Sequence, residues 1–271
     1  LEFRRVLFRS IAGLFLGIAM TFLKEYMDRS LKTMDEISRS LAPYPLMGVL
    51  NHDEVLEKES HLLPKIVYSN PNSILGESFK ILRANIQNFI ESGDKVLAIS
   101  SSLPNEGKST ITKNLAFSFA LGGKKVLIVD LDLRKPKLHT YFQLNEAISD
   151  LIYSTEVENL SLWRAPQVSD YTRYLESQEF KDGLKAQEAL VDVILLDTAP
   201  MNLVSDTSTL LRQGIPLLWV VGAGCTTGEQ IERSKNLLMN LKVEVKGYVI
   251  SKLEPEEMPD DYYSYYEGPM S

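Results

Sequence analysis

Three groups of side chains in this sequence have the types and the spacing for phosphate chemistry. The first is Gly107-Lys108-Ser109-Thr110, which closes the polar stretch Ser100–Glu106. Glycine lets a backbone approach an anion closely. A lysine after it can reach the outer phosphates of a nucleotide, and a serine hydroxyl can hold Mg²⁺. The full consensus has Gly five residues before Gly107, where this chain has Ser102; a polar turn capped by serine is the plain alternative. The second group is Asp130-Leu131-Asp132-Leu133-Arg134. Its two carboxylates can approach one metal ion, or one of them can take the proton of an attacking hydroxyl. The plain alternative is a capped loop start. The third is Asp197, followed by Thr198-Ala199-Pro200, where a strand-terminal carboxylate is expected to serve Mg²⁺. Far from these, Tyr262, Tyr263, Tyr265 and Tyr266 place four of the chain's twelve tyrosines in five positions. Glu254, Glu256, Glu257, Asp260, Asp261 and Glu267 surround them. Such a cluster suits phosphorylation, which adds about −1.5 to −2 charge per site; an aromatic tail that docks elsewhere is the other reading.

The elements that must position these groups are legible as strands and helices. Lys95–Ile99 is a buried strand that enters the loop, and Thr110–Leu121 is the helix that leaves it, with Ile111, Leu115, Phe117, Phe119 and Ala120 as apolar positions. Lys125–Asp130, Val191–Leu196, Leu217–Val221 and Gly247–Ile250 read as further strands, with a helix over Glu229–Leu241. The uninterrupted apolar runs suit a sheet covered on both faces. The βαβα alternation predicts an α/β fold with a mostly parallel sheet and helices on both faces. Asp150–Glu188 is a less regular insertion that offers Leu151, Leu160, Leu162 and Trp163 to the core, with a helix from Phe180 to Ala189. A helix from Ser73 to about Ile90 carries Phe79, Leu82, Ile86 and Phe89 on one face. Glu77, Lys80 and Arg83 lie on another and on spacing alone are ordinary solvated charges.

With 271 residues, 44% hydrophobic and 24% charged, the chain holds one α/β domain and flanking pieces. The net charge of −7 argues against a nucleic-acid surface. A single cysteine, Cys225, excludes an intrachain disulfide and a multi-thiolate metal site. Residues 1–10 read as a non-native leader resembling an adapter translated in frame. Residues 11–23 carry no charge and read as the C-terminal part of a transmembrane helix, too short alone to span about 30 Å; a buried helix is the alternative. Lys24, Arg29 and Lys32 then place the remainder on the cytoplasmic side. Residues 24–72 read as a juxtamembrane helix and linker, 73–253 as the main domain, and 254–271 as a disordered tail.

Taken together, these residues resemble the cytoplasmic domain of the bacterial tyrosine kinases, preceded by the end of the second membrane helix of a polysaccharide co-polymerase. The resemblance runs from about Ile11 to Ser271. It rests on Glu25-Tyr26-Met27-Asp28-Arg29-Ser30 after the apolar helix, on Ser101–Thr110, on the Asp-x-Asp-x-Arg after its strand, on Ile194–Pro200 and on the terminal tyrosines. It implies a P-loop NTPase-like fold, shared with ParA and MinD, and ATP and Mg²⁺ as cofactors. By that resemblance Asn105, Glu106, Gly107, Lys108, Ser109 and Thr110 bind the nucleotide. Lys108, Asp130, Asp132 and Arg134 are catalytic, and Ser109, Asp130 and Asp197 hold the metal. Tyr262, Tyr263, Tyr265 and Tyr266 are autophosphorylated in trans. Glu77, Lys80 and Arg83 resemble the Glu-x-x-Arg-x-x-Arg helix through which members form rings. The implied partners are further copies of the chain, polysaccharide polymerisation and export machinery and a protein-tyrosine phosphatase, at the bacterial inner membrane.

Several positions depart from the family pattern. Asn105 stands where many members have Gly, which is tolerated if the backbone there avoids positive φ. Ala199 replaces the first Pro of Asp-x-Pro-Pro, and Ser251 stands where many members have an Asn that reads adenine. Lys80 in place of Arg loses bidentate pairing. A ParA/MinD-like ATPase would carry a second Lys where this chain has Ser101 and Ser102. A non-catalytic, ATP-binding scaffold is the third reading.

Overall fold

A computed structural model of the chain describes residues 2–51 and 66–257. Two compact units are present, one ending at Ser30 and one beginning at Leu31. The first is helix α1, Glu2–Met27. It runs unbroken through residues 2–10, which sequence reasoning sets aside. Leu14, Phe15, Leu16, Ile18, Met20, Phe22 and Leu23 are exposed along it. Among the described residues no helix is long and apolar enough to cross a membrane. Thirteen uncharged residues rise about 20 Å, short of a hydrocarbon core of about 30 Å.

The second unit begins earlier than the sequence suggested. Helix α2, Met34–Leu41, is fixed at its start by a capping box between Thr33 and Glu36, and it buries Ile37 and Leu41. Strand β1, Leu46–Asn51, follows. Both belong to the unit that begins at Leu31 rather than to a linker. Residues 52–65 lie outside the described chain; the short helix α3, Ile66–Ser69, buries Val67. Helix α4, Ile74–Glu91, is capped by Ser73. Then come β2 (Val96–Ser101), α5 (Lys108–Leu121) and β3 (Val126–Leu131).

The predicted irregular insertion contains two short strands, β5 (Ile152–Thr155) and β6 (Leu160–Arg164), and a third, β4 (Leu144–Ala147), lies just ahead of it. Leu160, Leu162 and Trp163 are buried there. Helices α6 (Tyr171–Glu176) and α7 (Gln178–Glu188) lead into β7 (Val193–Thr198). Helix α8 (Ser205–Leu211), β8 (Leu217–Gly222), α9 (Gly228–Leu241) and β9 (Val245–Leu253) complete the unit.

The strands form one nine-stranded sheet in the order β1-β9-β8-β2-β7-β3-β6-β5-β4. Among the described strands only β5 opposes its neighbours, pairing antiparallel with β4 and with β6. Alternate residues of each central strand feed opposite cores. Ile194 and Leu196 of β7 pack in the core that includes Trp219 and Phe180. Val193 and Leu195 pack in the core that includes Phe79 and Phe117. This two-sided burial is why the strands read as continuous apolar runs. At the β9 edge, Gly247 has φ 156°, and a Cβ there would meet Pro45 O at 2.5 Å. Only glycine lets β1 close onto β9 at this point.

Register brings the acids together. In the parallel pair β3–β7, Asp130 is the partner of Asp197; in β2–β7, Ile99 is. Adjacent strands lie about 4.8 Å apart, so Asp130 and Asp197 stand side by side at the carboxyl ends of the central strands. The loop after β2 opens beside them, at the edge where α/β sheets take their ligands.

Candidate active site

The loop between β2 and α5 is shaped by two left-handed residues, Asn105 (φ 64°) and Gly107 (φ 83°). The condition set for tolerating Asn105, a backbone that avoids positive φ, is therefore not met. Asparagine visits this region more readily than other non-glycine residues because its short polar side chain bonds locally. Between the two, Glu106 turns its side chain inward and is fully buried. Its carboxylate accepts hydrogen bonds from the backbone N–H groups of Leu103 and Gly222 and from the Thr226 hydroxyl. Burial pushes the Glu106 carboxyl above its usual range, and these hydrogen bonds oppose the shift. So Glu106 can offer a ligand its backbone only. The Ser251 hydroxyl donates to Glu106 O at 2.6 Å, which occupies the residue that replaces the family's asparagine. Replacing Glu106 with Ala leaves these donors unmet and is expected to cost about 2–4 kcal/mol of stability in urea unfolding. A loss below about 1 kcal/mol would show that the loop holds without it.

Lys108 opens α5 and is 7% exposed. Its Nζ lies 3.0 Å from Asp197 Oδ1, 3.2 Å from Ser109 Oγ and 3.7 Å from Asp132 Oδ2. The Thr112 hydroxyl also donates to Asp197 Oδ1, at 3.3 Å. Asp130 is buried. Its Oδ2 accepts the Leu138 N–H at 3.0 Å, and its Oδ1 has no hydrogen-bond partner among the described residues. Burial, and after it the charge of Asp197, push the Asp130 carboxyl up to about 7. Burial also raises Asp132, with Lys108 pulling it back.

The Asp197 loop is anchored through one carbonyl. Ala199 O accepts from the hydroxyls of Ser100 (3.0 Å) and Thr207 (2.7 Å). That anchor uses the backbone, which is how alanine substitutes for proline there. A cavity of about 400 Å³ is lined by Asn105, Gly107, Lys108, Ser109, Asp132 and Asp197 among others. Thr110 and Arg134 also reach it. Asp130 lies behind this lining, and the Glu106 side chain points away from it.

The free N–H groups of the first turn of α5 make its start an anion site, and the acids beside it suit a divalent cation. Ser109 Oγ and Asp197 Oδ1 hold the Lys108 ammonium between them. An alcohol and a carboxylate around a cation are also the donors that Mg²⁺ takes, together with phosphate and water. No cluster of three or more His, Cys, Asp or Glu side chains fit for a metal occurs among the described residues. A Mg²⁺ ion held there would complete its shell from nucleotide and water.

Residues 97–268 match the CobQ/CobB/MinD/ParA nucleotide binding domain family. CapB of Staphylococcus aureus is 32% identical over 224 residues, which cover 78% of this chain and 98% of CapB. The tyrosine-protein kinase ptk of Acinetobacter johnsonii is 27% identical over 262 residues, 89% of this chain but 36% of that longer protein. The solved BceF tyrosine kinase domain superposes with a TM-score of 0.73 at 26% identity, covering 83% of this chain and 99% of that one. This chain belongs to the bacterial tyrosine-kinase family.

The kinase site contains three residues that sequence reasoning did not single out. Asp206, at the start of α8, is buried and accepts Arg134 Nε at 2.9 Å and the Thr172 hydroxyl at 3.2 Å. Its signal was an acid placed at a helix start shortly after Asp197. Lys113, in the second turn of α5, is 2% exposed and lines the same cavity. A cation in a helix that carries no other charge after Lys108 was the signal. Burial holds its ammonium down at about 7, against the pull of Asp197. Tyr141, whose ring Lys113 covers, had no sequence signal.

Glu77, Lys80 and Arg83 do not join this site. Glu77 and Lys80 pair with each other along α4, and Arg83 Nη1 donates to Ser118 O of the same chain at 2.6 Å. Tyr262, Tyr263, Tyr265 and Tyr266 lie outside the described residues.

Proposed function

We propose that this kinase transfers the γ-phosphoryl group of ATP to the tyrosine cluster Tyr262, Tyr263, Tyr265 and Tyr266 of a neighbouring copy. The observation that carries the reading is the convergence of Lys108 with Ser109, Asp132 and Asp197 in one cavity beneath the first turn of α5. The loop amides from Asn105 to Thr110 bind the phosphates, and Lys108 draws toward the β- and γ-phosphates once they replace its carboxylate partners. Ser109 and Asp197 would hold Mg²⁺, with Asp130 behind them, and the ion would supply positive charge against the phosphates. The tyrosine oxygen forms the new bond to the γ-phosphorus as the bond to the bridging oxygen breaks. ADP leaves with that electron pair, and the hydroxyl proton passes to Asp132. Its raised pKa suits a positioned base, because the attacking oxygen loses its proton late. Arg134, aligned by Asp206, faces the same cavity as a counter-charge for the acceptor segment.

The wider role follows the family resemblance: control of capsule or exopolysaccharide polymerisation and export at the inner membrane, reversed by a protein-tyrosine phosphatase. Ring assembly through Glu77, Lys80 and Arg83 belongs to the same proposal. It requires Arg83 to exchange Ser118 O for a neighbour's acceptor. A mixing experiment tests transfer in trans. A chain with all four tail tyrosines changed to Phe is incubated with ATP and Mg²⁺ beside a Lys108→Met chain with its tail intact. Phosphotyrosine is expected on the Lys108→Met chain. If wild type phosphorylates itself but the mixture stays unmodified, transfer is within one chain.

A further inference from the structure

Helix α5 is buried on nearly every side, and its interior positions Ile111, Leu115, Ala116, Phe117 and Phe119 are apolar. Thr112, Asn114 and Ser118 are also buried there, but each donates a hydrogen bond to a backbone carbonyl, whereas Lys113 carries a charge and ranks among the largest fully buried side chains. An ammonium taken from water needs compensation. Among the described residues, no carboxylate forms an ion pair with Lys113 and no acceptor takes its N–H groups. Its Nζ instead lies 3.2 Å from the centre of the Tyr141 ring. Tyr141 follows the 3₁₀ turn Leu138–Thr140, and Asp130 Oδ2 anchors that turn through the Leu138 N–H.

A ring face attracts a cation through its quadrupole. It does not use up the three N–H donors of an ammonium. Lys113 is therefore fixed in place, with donors still free, at the wall of the cavity that Lys108, Ser109, Asp132 and Asp197 also line. A leucine would fill a purely structural position in α5 without the desolvation penalty. An arrangement that buries a cation and leaves its donors unmet suits an anion that arrives later.

We propose that Lys113, held by the face of Tyr141, is a second phosphoryl-facing lysine that contacts the γ-phosphate of the bound nucleotide and the charge that develops on it during transfer. Tyr141 is the positioning residue. This rests on the kinase reading above and assigns a new contact to the same cavity.

The test uses the full chain with ATP, ADP and Mg²⁺, and reads nucleotide affinity separately from turnover. Lys113→Met is expected to lower kcat about 100-fold. It should also remove most of the preference for ATP over ADP, with ADP affinity changed less than about twofold, because ADP lacks the group contacted. Lys113→Arg should recover part of both. Tyr141→Phe should retain about tenfold more activity than Tyr141→Leu, since only the former keeps the ring face. The Tyr141 pair carries the test if Lys113→Met does not fold. Unchanged kcat and unchanged ATP-over-ADP preference in Lys113→Met would overturn the proposal. So would equal losses of ADP and ATP affinity, or equal activity of the two Tyr141 variants. If wild type transfers nothing to tyrosine, the kinase reading fails by itself. The nucleotide preference still decides the role of Lys113.

Discussion

Lys108→Met is expected to lower tyrosine phosphorylation by at least about 10³-fold, the scale on which a preorganised charge acts in a water-poor site. The lysine has two jobs in this geometry. In the proposed mechanism it faces the phosphates once nucleotide is bound. Without nucleotide it lies between Ser109 Oγ, Asp197 Oδ1 and Asp132 Oδ2 and compensates acids that are largely out of water. Removing it leaves the buried Asp197, 1% exposed, beside the buried Asp130 without its ion pair, and only Lys113 still acts on the two charges. Breaking a buried pair in this way costs about 3–5 kcal/mol when the remaining charge cannot relax. Here the charge can relax, because Asp130 binds a proton near neutrality. The variant should therefore stay folded and lose more stability between pH 6 and pH 8 than wild type does, as followed by urea unfolding of both proteins. The same pH dependence as wild type, with activity lost, would mean that Lys108 serves the nucleotide only.

Asp130→Asn is expected to stabilise the nucleotide-free protein at pH 8 while activity falls at least about 100-fold. In the folded chain, burial and Asp197 raise the Asp130 carboxyl to about 7 from its ordinary 3.8. Between those values the folded state binds more protons than the unfolded state, so stability falls as pH rises through the interval. Asparagine removes that loss and can still accept the Leu138 N–H. The gain should be about 1–3 kcal/mol at pH 8 and vanish near pH 4. Thermal or urea unfolding in a chelator, compared across pH, measures it. A variant less stable than wild type at pH 8 would show that Asp130 is charged and well compensated in the folded state.

Such a balance, in which a site residue lowers stability and is kept for its chemistry, bears on how much of this protein was legible in its sequence. The central strands were readable because each is buried on both faces and appears as an unbroken apolar run. The end of the β3 run at Asp130 and of the β7 run at Asp197 marked the site, and the parallel register then set these acids side by side. The 144–164 region was not readable. Its strands have four or five residues, and β4 is mostly exposed, so neither length nor alternation signals them. Glu106 looked like a ligand-facing loop residue. Only the approach of Gly222 and Thr226, more than a hundred positions away, shows that its carboxylate ties the loop down from inside. Asn105 stands at a positive φ that its sequence did not reveal, and asparagine carries left-handed backbone better than most side chains. Arg83 matched an assembly pattern in sequence, yet its guanidinium is bonded to α5 of its own chain.

The fate of the γ-phosphoryl group tests the central claim most directly. The wild-type full chain, treated with a phosphatase to remove earlier modification, is incubated with ATP and Mg²⁺ beside Lys108→Met. Its intact mass and its phosphotyrosine positions are followed together with released phosphate. The account predicts stepwise addition of phosphoryl groups to wild type, mapping to Tyr262, Tyr263, Tyr265 and Tyr266, and none on Lys108→Met. Release of all the phosphate to water, with no phosphotyrosine at any time, would contradict it and leave an ATPase of the same fold.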